Sequence, residues 1–156
     1  MKTIGDSLDL NLSLTAVRSG EASTVKLGDL LTRPTVFSIY MRNNTGSCDK
    51  QNTSLVAHAA ELDAAGVNLV AISRDKPPAH AKYAAKLGIP YTLISDPDDT
   101  FAKEADAIVE KSMYGKKYLG PARAAFLVDT DGRITGVIEK VDSKNHGEEL
   151  LALIQG

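Results

Sequence analysis

Cysteine is nearly absent from this chain: one residue, Cys48, in 156. A lone thiol closes no intrachain disulfide, which excludes a disulfide-stapled secreted scaffold and any cysteine-cluster metal site. Long apolar runs are absent as well. The longest, Ala124–Val128 and Leu150–Ile154, are five residues each, against about 20 for a bilayer-spanning helix, so no membrane association is expected. Met1–Asp6 lacks the apolar segment of a signal peptide. A cytoplasmic, reducing location is the simplest expectation, although a mature chain with its leader removed would read the same. Neither charge sign dominates. With 18 Lys+Arg against 20 Asp+Glu the net charge is −2, which argues against a nucleic-acid or anionic-membrane binder and leaves small molecules and proteins as partners. No repeat, low-complexity tract or linker divides the sequence. Residues 1–156 are expected to form one domain, with 43% apolar residues to supply its core.

The periodicities alternate between strand and helix. Residues 8–26 alternate loosely around Ser19-Gly20 and predict a hairpin. Thr35–Tyr40 is a β-branched and aromatic run, hence a buried strand. After a polar turn, Arg42–Ser47, the residues Leu55, Val56, Ala59 and Leu62 predict a helix that stops before Gly66. Val67–Ser73 predicts a strand, Pro77–Leu87 a helix, Tyr91–Ser95 a short strand and Asp98–Ala107 a short helix. A glycine-punctuated stretch runs to Pro121, read as loop. Ala124–Val128 and Ile134–Lys140 flank an Asp131-Gly132 hairpin signal, and a last helix starts near Asn145. This order implies an α/β architecture, a mixed central sheet with helices on both faces, in the arrangement of a thioredoxin-like fold with an N-terminal β-hairpin.

Cys48 falls three residues after Thr45, just past the carboxyl end of the central strand, where the next helix opens. Ligands of open α/β sheets bind at that edge. A helix amino terminus offers unpaired N–H groups and partial positive charge, which favour a thiolate over a thiol. The opposing reading is a small buried hydrophobe, the usual fate of a free cysteine.

The segment Tyr40-Met41-Arg42-Asn43-Asn44-Thr45-Gly46-Ser47-Cys48 resembles the active-site segment of peroxiredoxins, in which Thr-x-x-Cys opens a helix after a strand. Leu69–Ser73 with Arg74-Asp75 resembles the family's next core strand and its exit. Leu93–Asp98 resembles its short strand ending in Ser-Asp, and Met113–Gly120 the loop of the peroxiredoxin Q, or bacterioferritin-comigratory, subfamily. Arg123-Ala124-Ala125-Phe126-Leu127-Val128-Asp129 resembles the Arg-x-x-Phe-x-x-Asp stretch that carries the second catalytic side chain. The likeness runs from Leu10 to Ile154. It implies a thiol peroxidase acting on hydrogen peroxide and organic hydroperoxides without a cofactor or metal. Cys48 would be the nucleophile that becomes a sulfenic acid, Arg123 the cationic donor and Thr45 a hydroxyl partner. Backbone N–H groups at Ser47 and Cys48 would complete the substrate pocket. Thr45 is equally placed to be an ordinary N-cap, and Arg123 to be a solvated charge at a strand start. A monomer recycled by thioredoxin or another thiol is implied.

Three residues depart from the family pattern: Gly46 replaces the usual Pro, Gln51 a common Glu, and Met41 a frequent Pro. The second, resolving cysteine is missing at both places the subfamily uses, where this chain has Thr53 and Ala84. Two accounts of Ala84 stand. Either the chain naturally has one cysteine and its sulfenic acid is cleared by an outside thiol, or a cysteine was exchanged for alanine, the usual replacement within a helix. The rival functions are a thioredoxin-like disulfide reductase, which needs Cys-x-x-Cys, and a non-catalytic binding or chaperone module on the same fold. Elsewhere, His58, His80 and His146 share no ligand spacing, and His58 is expected on a helix surface. Asp96, Asp98 and Asp99 fit helix-start capping better than calcium. Lys116-Lys117 beside Tyr114 and Tyr118 reads as a solvated loop, with contact to an acidic partner as the alternative.

Overall fold

The structure, a computed structural model, describes residues 1–155. β1 (Ser13–Arg18) and β2 (Glu21–Lys26) form the expected hairpin. Ser19 and Gly20 both take positive φ at its turn, 52° and 79°, the geometry whose twist matches paired strands. A single-turn helix α1 (Leu27–Leu30) leads into β3 (Thr35–Ile39), every residue of which is buried. Then follow α2 (Gly46–Ala64), β4 (Asn68–Ser73), α3 (Pro77–Leu87), β5 (Thr92–Ser95) and a short α4 (Thr100–Glu104). β6 (Ile108–Met113) and β7 (Lys116–Pro121) come next, then β8 (Ala125–Val128), β9 (Ile134–Ile138) and, after a 3₁₀ turn over Ser143–Asn145, α5 (His146–Gln155).

The main sheet has the order β2-β1-β5-β4-β3-β8-β9. β3, β4 and β5 run parallel at its centre, while β1, β8 and β9 pair antiparallel. Alternate residues of β3 feed two cores. Val36 packs with Leu55, Leu62, Tyr83 and Leu150 under α2, α3 and α5. Phe37 and Ile39 pack on the other face with Phe101, Phe126 and Leu27, under α1 and α4. Phe37 and Phe101 stack with ring centroids 5.0 Å apart. Helices thus lie on both faces, three long ones against two of about a turn. No helix among the described residues is long and apolar enough to cross a membrane.

Besides α1, where no helix is expected, the fold departs from the sequence-based expectation in two places. The stretch before Pro121 is no loop but a two-stranded hairpin, β6–β7, outside the main sheet; Lys116 and Lys117 therefore sit on a strand. Its turn, Tyr114-Gly115, has φ of 53° and 76°, the conformation that Asn-Gly usually announces. The helix expected over Asp98–Ala107 shrinks to α4. Its start is capped as expected by an acidic side chain: Asp96 accepts from the Thr100 and Phe101 amides at 2.8 and 2.9 Å.

Candidate active site

The turn from β3 into α2 is held from below by buried polar groups. Tyr40 donates its hydroxyl hydrogen to Asn43 Oδ1 at 2.6 Å, and the Asn43 amide N–H reaches Asp75 Oδ2 at 2.9 Å. Asn43 Nδ2 donates to His80 Nδ1 at 3.2 Å, so Nε2 of that ring carries the hydrogen, given to the Ile94 carbonyl at 3.0 Å. Lys86 of α3 donates to Asn44 Oδ1 at 2.7 Å, which secures the left-handed Asn44 (φ 60°). These bonds, rather than a proline ring at position 46, set the direction in which α2 leaves.

Cys48 lies in the first turn of α2 and is 1% exposed. Its Sγ accepts the Met41 amide N–H at 3.4 Å. The N–H groups of Gly46, Ser47 and Cys48 precede the first bond of the helix, Asp49 N–H to Thr45 O at 2.7 Å, so Cys48 belongs to the turn that carries the partial positive charge of α2. Thr45 stands at the N-cap with extended backbone, yet its hydroxyl makes no capping bond. It donates to the Arg42 carbonyl at 3.0 Å, within the turn.

Arg123 arrives from the connection between β7 and β8 and closes on the same helical turn. Nη1 donates to Ser47 Oγ at 3.0 Å. Nη2 faces the Ser47 carbonyl at 3.2 Å, Gln51 Oε1 at 2.8 Å and Ser143 Oγ at 2.6 Å. Its Nε–H has no partner, the only buried side-chain nitrogen or oxygen so placed among the described residues. A buried donor costs about 1–3 kcal/mol while unpaired, which makes this N–H a strong donor toward any acceptor that reaches it. A second cation stands near: Lys111 of β6 rests its Nζ on the Met41 sulfur. Burial, then repulsion from Arg123 and Arg74, pushes its pKa down.

Thr45, Ser47, Cys48 and Arg123 therefore share one corner of the fold, at the carboxyl end of β3. Ala84 sits on α3, part-buried against the same apolar cluster that contains Cys48. Its neighbour Tyr83 clamps the first turns of α2, donating to Asp49 Oδ1 at 2.7 Å and receiving Asn52 Nδ2 at 3.4 Å. His58 is half-buried rather than on the surface, 3.2 Å from Glu148 of α5. The sequence marks Gln51 only as a departure from a pattern, and gives no signal for Ser143, Lys111 or the Met41 amide. A cavity of about 650 Å³ opens at the opposite end of the strands, between Arg18, Arg33, Asp63 and Tyr91, and touches none of these groups.

Residues 8–137 match the AhpC/TSA family over most of the chain. The chain belongs to that family. It is 33% identical over 131 residues to the peroxiredoxin Bcp of Escherichia coli K12, covering 84% of either protein. The solved peroxiredoxin Q of Xanthomonas campestris superposes with a TM-score of 0.87 at 29% identity, over 98% of this chain and 96% of that one. The bacterioferritin comigratory protein of the same organism, solved in trapped-intermediate and ligand complexes bearing on its alkyl peroxide reduction, gives 0.87 at 28% identity over 99% and 98%. This peroxiredoxin is accordingly a thiol peroxidase on a thioredoxin-like fold, an oxidoreductase that pairs a peroxide with a thiol reductant.

Proposed function

We propose that this peroxiredoxin reduces hydrogen peroxide and organic hydroperoxides with the Cys48 thiolate as nucleophile. Sulfur attacks the terminal peroxide oxygen, the O–O bond breaks, and its electron pair leaves on the distal oxygen as water or an alcohol once protonated. Cys48 is oxidised to a sulfenic acid. Negative charge spreads over both oxygens on the way, and fixed donors rather than a base are what that transition state needs. The leftover N–H groups at the start of α2 and the buried, unpartnered Nε–H of Arg123 are such donors. Thr45 is within the same turn; after releasing the Arg42 carbonyl its hydroxyl is free to bridge peroxide and sulfur.

The observation that carries this reading is the buried Cys48 in the first helical turn that Arg123 grips through Ser47. With no second cysteine in the sequence, an outside thiol, thioredoxin or another, must clear the sulfenic acid, which suits a reducing compartment such as the cytoplasm. One equivalent of peroxide is expected to add about 16 Da to the intact protein as sulfenic acid, and Cys48→Ser to gain nothing. An unchanged mass at neutral pH, or an equal gain in the variant, contradicts the assignment.

A further inference from the structure

Behind Arg123 runs a buried chain of polar groups that the chemistry above does not use. Gln51 Oε1 accepts from Arg123, while Gln51 Nε2 faces two oxygens, Ile39 O at 3.2 Å and Ser38 Oγ at 3.0 Å. A carbonyl oxygen only accepts and a guanidinium only donates, so the amide has one possible orientation. Ser38 Oγ therefore accepts from Gln51, and its own hydrogen goes to the remaining neighbour, His146 Nε2, at 2.7 Å. That nitrogen is then an acceptor. The ring hydrogen sits on Nδ1 and is donated to Glu149 Oε1 at 2.7 Å. Gln51, Ser38 and His146 are each 0% exposed, so water supplies no alternative partner. The charged groups around the ring are Glu149 on its own helix, Asp142 in the preceding loop and Arg123 across from it. The faces offered by α2 and β3 are the neutral Gln51 and Ser38.

We propose that His146 is a positioning residue for peroxide reduction: fixed as its Nδ1–H tautomer by Glu149, it takes the Ser38 hydrogen and so keeps the Gln51 amide turned with its oxygen toward Arg123. Without an acceptor at 146, the Ser38 hydroxyl competes to donate to Gln51 Oε1. That requires the amide to turn, which sets an N–H against the guanidinium. Arg123 would then lose a bond aligning it on the first turn of α2. The relay needs at position 51 a group that accepts at one end and donates at the other, which an amide does and an ionised carboxylate does not. This inference rests on Arg123 acting on the peroxide.

Two measurements test it. In ¹⁵N-labelled protein at pH 7, the long-range proton–nitrogen pattern of the residue 146 imidazole, assigned by its loss in His146→Gln, should report hydrogen on Nδ1. Hydrogen on Nε2 overturns the proposal on the unmodified protein, whatever any variant does. Second, His146→Leu should lower kcat/KM for peroxide about tenfold, the scale of one oriented hydrogen bond. His146→Gln, whose amide also accepts toward Ser38 and donates toward Glu149, should stay within about threefold. In an Arg123→Ala background His146→Leu should cost nothing further, because nothing is left to aim. An equal loss in both backgrounds means a merely structural role. Arg123→Ala at full speed would instead remove the reading of Arg123 itself.

Discussion

Arg123 presents one guanidinium to three acceptors through a single nitrogen and to a fourth through another. A lysine ammonium could reach into the same corner with the same charge, yet it has no planar fork to spread over Ser47, Gln51 and Ser143. Arg123→Lys is therefore expected to lower kcat/KM for hydrogen peroxide by about 10²-fold, the scale of losing one fixed donor at a charged transition state. Competition kinetics against a peroxidase of known rate would measure this, and a loss under threefold would mean that charge alone suffices. At this scale the sequence points to the groups proposed to react and is silent about those that hold them. Cys48 stands out as the lone thiol at a helix start, whereas Thr45 and Arg123 are legible only through the likeness of their segments to peroxiredoxins. Ser143 and His146 lie 95 and 98 residues after Cys48, and only the folded sheet and α5 bring them behind Arg123. Thr45 shows the limit of type without geometry, since its hydroxyl rests on Arg42 and neither caps α2 nor meets the sulfur.

Elements with a strong period were legible; those whose period is weak were not. β3, α2, β4, α3 and β5 follow from alternation between continuous apolar runs and helical spacing, each ended by Gly or a polar turn. β6 and β7 escaped because they bury little: Met113, Tyr114 and Leu119 are exposed, and the turn residue is Tyr where Asn or Asp would signal it. Contacts between elements yield two expectations. α5 docks on α2 at Gly147, whose amide donates to Ser54 Oγ at 2.8 Å. A Cβ there would overlap the His58 ring and lie 2.8 Å from the Ser54 carbonyl oxygen. Gly147→Ala should destabilise by about 1–3 kcal/mol through overpacking, read as a lower urea midpoint, and an unchanged midpoint would show that the helices part freely. The other concerns α3. If that helix is where a resolving thiol belongs, Ala84→Cys treated with peroxide should form an intrachain disulfide to residue 48, seen as a loss of about 2 Da on mapping. Closing that bond needs Cα atoms within about 7 Å, and α2 must first give up the Tyr83–Asp49 and Tyr83–Asn52 bonds. Two thiols that stay separate would favour the account in which the chain works with one cysteine.

For the molecule as a whole, the two buried histidines make stability depend on pH. His146 and His80 are each 0% exposed. Burial, then repulsion from Arg123, pushes His146 down to about 4, against a weaker opposing pull from Asp142. Burial likewise lowers His80, against its bond to the Ile94 carbonyl and the charge of Asp75. Burial holds both rings toward the neutral form in the fold, whereas in the unfolded chain each takes up a proton near its ordinary value of about 6.5. The unfolded state thus binds more protons below that pH, and stability falls as pH drops through about 6.5. For His146 the loss continues to about pH 4 and amounts to roughly 3–4 kcal/mol at most, at about 1.4 kcal/mol per pH unit. Burial raises Asp96 and Glu149, which has the opposite sign. Those carboxyls regain stability by protonating as pH falls through their raised values, so they oppose the loss from the histidines. Urea midpoints measured at intervals from about pH 7 to 4.5 should begin to fall near 6.5, and His146→Gln, which has no ring to protonate, should flatten the slope. A midpoint constant from about pH 7 to 5 would mean that neither ring is held neutral by the fold.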